Sequence, residues 1–192
     1  THTPVPTYMI VDLTTGETTY QYCGTNLWAD VTNAVYKTDK LVLRRVPAGT
    51  FTMGSPAAEL GRNPYYMERE TSHGVTFSKG FYIGVFEVTQ KQWQNIMGGS
   101  SPAYFNNPDY ANTRPVEQVS YTAIRGATND SPKVDWPATG SYVKPDSFID
   151  RLRDRTGNVF YDLPTDAQWE YACRAGTGTG LNDGSDLTNK TS

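Results

Sequence analysis

The sequence is poor in metal-binding and cross-linking residues. Its 192 residues include two cysteines, Cys23 and Cys173, and two histidines, His2 and His73. Neither histidine has a cysteine or a second histidine at zinc-ligand spacing, which argues against a zinc site. The cysteines are far apart, so they can pair with each other, pair elsewhere or stay free. A chain of this length buries roughly 70% of its unfolded surface and does not need cross-links to fold.

Basic charge and long apolar runs are also scarce. The net formal charge is −3 and only 19% of the residues are charged. No basic stripe is present, which argues against a nucleic-acid partner. No apolar segment approaches the roughly 20 residues of a membrane-spanning helix. Thirteen tyrosines, with many Thr, Ser and Asn residues, suggest an extracellular setting, so we expect a protein that is secreted or lies at the cell surface.

The patterning predicts short strands separated by long loops. Strands expected at 7–13 and 18–23 form a strand pair within an N-terminal extension, residues 1–40, and the main domain is expected to span residues 41–192. In KLVLRRVPAGTFTMGS we expect a second strand pair around the turn Pro47-Ala48-Gly49. GVTFSKGFYIGVFEV predicts a strand, a tight turn and a further strand.

Two helices are predicted to begin with the same motif, T-x-x-Q-W, in VTQKQWQNIMG and LPTDAQWEYACRAG. In each, a threonine caps the helix, a glutamine completes a capping box, and the next tryptophan is expected in the core. These residues are Thr89, Gln92 and Trp93 in one helix, and Thr165, Gln168 and Trp169 in the other. Gly98 and Gly176 are expected to end them. A third helix is expected near Ser147, with Phe148, Ile149 and Leu152 as its apolar stripe.

Few other side chains are candidates for catalysis, disulfide formation or metal binding. Cys173 shares a helix face with Trp169 and Ala172, which favours a buried free thiol, with a disulfide partner as the alternative. His73 beside a strand, and Glu87 at a strand-to-helix junction, are expected to be structural. Three further residues are weak candidates for calcium ligands, although they lack the EF-hand pattern and a solvated turn is favoured. They are Asn182, Asp183 and Asp186.

Four ordered blocks resemble one family. They are VPAGTFTMGS (46–55), HGVTFSKGFYIGVFEVTQKQW (73–93), RPVEQVSY (114–121) and DLPTDAQWEYACRAG (162–176). Together they look like the formylglycine-generating-enzyme, or sulfatase-modifying-factor, domain, in the version found in secreted bacterial paralogues. The resemblance implies an α+β, C-type-lectin-like fold that is rich in loops. Asp162, where the family commonly has Arg, is expected to change surface charge and packing and not to be a catalytic position.

The resemblance also bears on activity. In the family, a second half of the domain supplies a calcium segment and, in true enzymes, the cysteine pair that binds copper. The blocks found here resemble the N-terminal part, Cys173 is not at the catalytic position, and Cys23 lies outside the match. The resemblance therefore implies no catalytic residue in this chain, and copper only if a second half carries the cysteine pair. In some members the cysteine corresponding to Cys173 is disulfide-bonded to that half.

The sequence thus leads to two functional hypotheses. The first is an extracellular binding or structural module, completed by the C-terminal half of the same domain or by a neighbouring subunit in an oligomer. That partner would cover the apolar surface around Trp169, Ala172 and Cys173. The alternative is the N-terminal part of a copper-dependent formylglycine-generating oxidase, or of a related non-haem iron enzyme.

Overall fold

The structure is a computed structural model. It describes residues 4–22, 32–57, 59–60, 62, 65, 68–127, 129–130 and 142–185. Its contacts divide the chain into two units. The first unit comprises Thr1–Arg45 and Tyr82–Leu163, and the second comprises Val46–Phe81 and Pro164–Ser192. Each unit therefore combines two separated stretches of sequence.

The described residues form short strands and helices of the α+β class, as expected. The strands are β1 (Tyr8–Asp12), β2 (Thr18–Gln21), β3 (Lys40–Val46), β4 (Gly49–Met53), β5 (His73–Phe77) and β6 (Phe81–Gly84). The α-helices are α1 (Gln90–Met97), α2 (Tyr121–Ile124), α3 (Phe148–Thr156) and α4 (Asp166–Arg174). The short helix α2, which Ser120 caps, was not among the predicted helices. No described helix is long and apolar enough to cross a membrane.

A four-stranded sheet lies at the centre of the first unit, in the order β2-β1-β3-β6. Strand β1 pairs antiparallel with β2 along one edge and with β3 along the other, and both of its faces are buried because each packs in a core cluster. Its side chains alternate between the two faces. Met9 and Val11 join the larger core cluster, whereas Tyr8 and Ile10 join a smaller one with Val42.

The larger core cluster joins this sheet to α1 and α3. Its buried members are Met9, Val11, Leu13, Leu41, Leu43, Trp93, Ile96, Val143, Phe148, Ile149, Leu152 and Tyr161. Trp93 stacks on Phe148, with ring centroids 5.0 Å apart and the planes within 8°. The predictions of a core Trp93 and of a buried apolar stripe on α3 are therefore confirmed.

The caps of α1, α3 and α4 follow the predicted pattern. Both capping boxes are present: Thr89 and Thr165 each accept a backbone hydrogen bond from the glutamine three positions later, whose side chain accepts one in return. Ser147 caps α3 and the left-handed Gly157 ends it. At the end of α4 the prediction is wrong, because Ala175 rather than Gly176 is the left-handed C-cap, with φ 48° and ψ 32°.

The second unit is built on a two-stranded sheet and α4. Strands β4 and β5 pair antiparallel, with Gly49 opposite Phe77 and Met53 opposite His73. Tyr171 of α4 packs into an aromatic cluster with Phe51, Phe77 and Phe81, at centroid distances of 5.0 to 6.5 Å. Gly49 makes this approach possible, because a Cβ there would overlap the Tyr171 hydroxyl.

The strand pair predicted around Pro47 is wrong. Strands β3 and β4 both exist on either side of that turn, but β3 pairs with β1 and β4 pairs with β5. The burial of β3 explains this outcome: Leu41, Val42 and Leu43 are all buried, which requires a sheet interior covered on both faces. The N-terminal strand pair is present as β1 and β2, and β1 joins the same sheet as β3; a domain boundary at residue 40 stays a prediction.

Candidate functional site

Helix α4 turns Trp169 away from the aromatic cluster that Tyr171 joins. Residues two apart on a helix point in nearly opposite directions, because each residue turns the helix by about 100°. Tyr171 faces β4, so Trp169 and Cys173 lie on the other side. Trp169 is 59% exposed, and the prediction that it is a core residue is wrong.

Two charged residues of α4 hold the backbone at Gly54. Glu170 accepts hydrogen bonds from the Gly54 N–H at 2.9 Å and from Arg174 Nε at 2.8 Å. Arg174 Nη2 donates to the Gly54 carbonyl at 2.8 Å. Gly54 has φ 86°, and a Cβ there would clash with the backbone of Glu70 and Thr71. The polar stripe of α4 thus fixes the chain that follows β4.

An open cleft of about 400 Å³ lies beside the contacts of Glu170 and Arg174 with Gly54, within the second unit. Leu60 and Trp169 give it exposed apolar surface, at 40% and 59% exposure. Charged groups line it as well: Glu70 accepts a hydrogen bond from Ser55 Oγ at 3.1 Å and lies 3.8 Å from Arg62 Nε. Two large apolar side chains thus stand among mostly charged and polar ones in the lining of the cleft.

Cys173 also lines this cleft. Its thiol is free among the described residues and is exposed, so the favoured prediction of a buried core thiol is wrong. Asn182 Nδ2 donates a hydrogen bond to Sγ at 3.0 Å. Cys23 lies outside the described residues, and a disulfide of Cys173, with Cys23 or with another polypeptide, stays a prediction.

The metal predictions depend on the same segment. Asn182 points its amide at Cys173, and Asp183 accepts two hydrogen bonds from Ser185, at 2.6 and 2.9 Å. Asp186 lies outside the described residues, so a calcium site at these three residues stays a prediction. Among the described residues no group of three or more His, Cys, Asp or Glu side chains could hold a metal. One thiol next to an amide donor does not fit a copper site.

The remaining predicted residues lie outside the cleft. His73 begins β5, is exposed, and its Nδ1 lies 2.8 Å from the Thr71 carbonyl oxygen. Glu87 is exposed between β6 and α1, at the predicted strand-to-helix junction. Their structural roles stay predictions.

A buried ion network in the first unit was missed by sequence reasoning. Asp162 accepts two hydrogen bonds from Arg125, at 2.6 and 3.0 Å, and one from Arg153 at 3.1 Å. The Arg125 side chain is fully buried and that of Asp162 is 15% exposed. Burial opposes the charged form of Arg125, but the hydrogen bonds and charge of Asp162 outweigh it and raise the pKa of Arg125. The expectation that Asp162 changes surface charge is therefore wrong, because its carboxylate lies within this ion network.

Comparison with known proteins gives two matches. Residues 30–191 match the sulfatase-modifying factor enzyme 1-like domain. The chain is 36% identical over 113 residues to the "Chaperone protein LppX" of Paenibacillus barcinonensis, a match that covers 53% of this chain and 38% of the relative. The chain thus corresponds to less than half of that relative's length. No solved structure matches the chain.

Proposed function

The chain belongs to the sulfatase-modifying factor enzyme 1-like family, and on that premise we propose that it is an extracellular binding or structural module whose cleft is covered by a second polypeptide segment. The observation that carries this proposal is the 59% exposure of Trp169 in the cleft wall. Leu60 and Cys173 add to the same surface. Tryptophan is enriched at interfaces, because its ring offers a large apolar contact area and its N–H a hydrogen bond.

The family resemblance indicates which polypeptide segment covers the cleft. The segment that covers the cleft is the second half of the domain, carried by the same gene product or by a neighbouring subunit. An exposed thiol at Cys173 suits a disulfide to that segment, because the sulfur can be reached without unfolding α4. The two contacts reinforce each other, since Trp169 and Cys173 are one helical turn apart.

Thiol alkylation tests this proposal on the full-length protein isolated from the cells that produce it. We expect the native protein to protect Cys173 from iodoacetamide, and the denatured and reduced protein to react fully. The variant Cys173→Ser identifies the labelled site by mass spectrometry. Alkylation of native Cys173 at the rate of the denatured protein would show that no segment covers the cleft. Cell fractionation tests the localisation: the proposal requires the protein in the medium or at the cell surface.

A chaperone role is the second candidate. The matched relative is named as a chaperone, and an open cleft with an exposed tryptophan suits a client polypeptide with apolar side chains. Suppression of the aggregation of reduced insulin is a direct assay. We expect Trp169→Ala to weaken it and Phe160→Ala, which removes a 90% exposed ring of the first unit, to leave it unchanged. Equal activity of both variants would argue against the cleft.

The oxidase alternative makes a different demand. The described residues form no copper site, so the cysteine pair must come from a second half of the domain. Incubation of the complete gene product with copper and a cysteine-containing peptide, followed by mass spectrometry for formylglycine, tests it. Calcium at Asn182, Asp183 and Asp186 is likewise a proposal; a calcium-dependent rise in Tm that Asp183→Asn abolishes would support it.

A further inference from the structure

A compact patch of three rings and one guanidinium lies on the first unit and shares no residue with the cleft. Its members are Tyr104, Phe105, Tyr110 and Arg114, here called the aromatic–arginine patch. The rings of Tyr104 and Phe105 meet edge to face at 5.2 Å. The Arg114 guanidinium lies over the Phe105 ring at 5.2 Å and over the Tyr110 ring at 4.8 Å. The four side chains therefore form one continuous surface.

The patch is exposed although its residues are large and partly apolar. Tyr104 is 71% exposed, Phe105 52% and Tyr110 40%. Tyrosine and arginine are the side chains most enriched at the energetic centres of protein interfaces. The surrounding sequence, GGSSPAYFNNPDYANT, is rich in Gly, Ser, Asn and Tyr. That composition is typical of loops that recognise other proteins, because tyrosine gives contact area at low entropic cost and the small polar residues supply hydrogen bonds.

Helix α1 holds the backbone of the patch in place. Gln90 is 2% exposed, its N–H donates to the Arg114 carbonyl at 2.8 Å, and its Nε2 donates to the Phe105 carbonyl at 2.9 Å. Glu117 accepts a hydrogen bond from the Phe105 N–H at 2.8 Å. The buried residue Gln90 thus fixes two members of the patch, Phe105 through its side chain and Arg114 through its backbone N–H, and the cost of ordering them is met in the folded protein before any ligand binds.

Arg114 gives the patch a preference for ligands that carry a carboxylate. No described carboxylate forms an ion pair with it, and the residue is exposed. The two rings hold the planar guanidinium by cation–π contact, which leaves its N–H groups at the edge for a carboxylate. A bidentate pair with a carboxylate is the strongest contact such a group makes.

We propose that the aromatic–arginine patch is a docking site for an acidic peptide segment of a partner protein. An Asp or Glu carboxylate of the peptide binds the Arg114 guanidinium, and a neighbouring apolar side chain packs on Tyr104 and Phe105. The proposal is independent of the cleft, whose lining residues all belong to the second unit.

Selection from a display library of random short peptides on the immobilised protein tests the proposal. We expect the selected peptides to share an acidic residue next to an apolar one, and their binding to weaken as salt concentration rises. A synthetic peptide of the selected sequence is then titrated. We expect about a tenfold or greater loss of affinity for Arg114→Ala and for Tyr104→Ala, and for the peptide with Asn or Gln in place of its acid.

Matched controls separate the patch from general charge and surface effects. Arg44→Ala removes an exposed arginine of β3, and Phe160→Ala removes a 90% exposed ring; both should bind like the wild type. Arg114→Lys keeps the charge but loses the planar fork, so we expect it to bind more weakly. Failure to select acidic peptides, unchanged binding by Arg114→Ala, or a requirement for a phosphorylated peptide would each overturn the proposal.

Discussion

Individual carboxylates in this protein differ in how much they stabilise it, because their burial differs. The Asp162 side chain is 15% exposed and binds two arginines, whereas that of Asp146 is 81% exposed and, among the described residues, pairs with Arg151 alone, at 3.1 Å. Removal of one partner from a buried ion pair leaves an uncompensated charge in the interior. An exposed pair is screened by water and contributes little.

Asp162→Asn should therefore lower the free energy of unfolding by about 3–5 kcal/mol, because Arg125 and Arg153 lose their shared counter-charge. Urea denaturation measures the loss. Asp146→Asn is the matched control and should cost less than about 1 kcal/mol; asparagine tolerates the left-handed backbone at this position, where φ is 64°. Similar losses in the two variants would show that the Asp162 network is not buried in solution.

Tyr161 couples stability to alkaline pH. Burial raises the pKa of its hydroxyl from 10.0 to about 12. Below pH 10 the group is protonated in both states, so its full contribution to stability is present. As the pH rises toward 12 the unfolded chain releases the proton first, and the contribution is lost. At about pH 11 the loss relative to neutral pH amounts to about 1.4 kcal/mol.

The comparison that isolates this effect is between the wild type and Tyr161→Phe. Phenylalanine has no proton to release, so the variant should lose less stability than the wild type between about pH 8 and about pH 11. Both proteins are unfolded with urea at each pH. The other tyrosines are the same in the two proteins, so their titration cancels in the difference between the two free energies of unfolding. Parallel losses would show that the Tyr161 hydroxyl ionises in the folded protein as readily as in the unfolded one.

At the scale of elements, the two capping boxes are similar in sequence but differ in their surroundings. Thr89, the cap of α1, is 2% exposed, and its hydroxyl also donates to the Lys37 carbonyl at 2.6 Å. Gln92 donates in addition to the Lys40 carbonyl at 2.7 Å. The cap of α1 thus links the helix to the chain before and within β3, whereas Thr165 is half-buried and bonds within its own helix end.

Thr89→Ala should be more destabilising than Thr165→Ala for this reason. Loss of a helix cap costs about 1 kcal/mol, which we expect for Thr165→Ala. Thr89→Ala also leaves the partly buried Lys37 carbonyl without its donor, and should cost about 2–3 kcal/mol. Thermal unfolding of both variants measures the difference, with Thr89→Ser as the control that retains the hydroxyl. Equal costs would mean that the bond to Lys37 contributes nothing.

The helix ends could be predicted because their signals are local. Thr89, Ser147 and Thr165 cap the expected helices through hydrogen bonds that span three residues. Strand pairing is not local, so the turn at Pro47 gave no indication that β3 and β4 join different partners. The cleft could not be predicted from the sequence for a similar reason. Trp169 and Tyr171 are both suitable core residues, and only the aromatic cluster at β4 decides that Tyr171, which is half-buried, packs inward while Trp169 stays exposed.

At the scale of the whole molecule, each unit closes around residues that are distant in sequence. In the first unit, Trp93 of α1 stacks on Phe148 of α3. In the second, Phe51 of β4 and Tyr171 of α4 meet at 5.0 Å. The family resemblance anticipated this loop-rich α+β architecture, but the pairing of Arg125 with Asp162 could not come from either sequence pattern or resemblance, because it depends on the specific path of the chain between them.

The two tryptophans that follow the T-x-x-Q motifs provide the final prediction. Trp93 is 6% exposed and stacked in the core, so Trp93→Ala should cost about 3–5 kcal/mol. Trp169 is 59% exposed, so Trp169→Ala should cost less than about 1 kcal/mol. Urea denaturation of residues 1–192 measures both losses. If a second polypeptide covers the cleft, its addition should stabilise the wild type but not Trp169→Ala, because only a contact made in the folded complex shifts the unfolding midpoint. A large loss for Trp169→Ala in the isolated chain would instead place Trp169 in the core and remove the cleft as a binding surface.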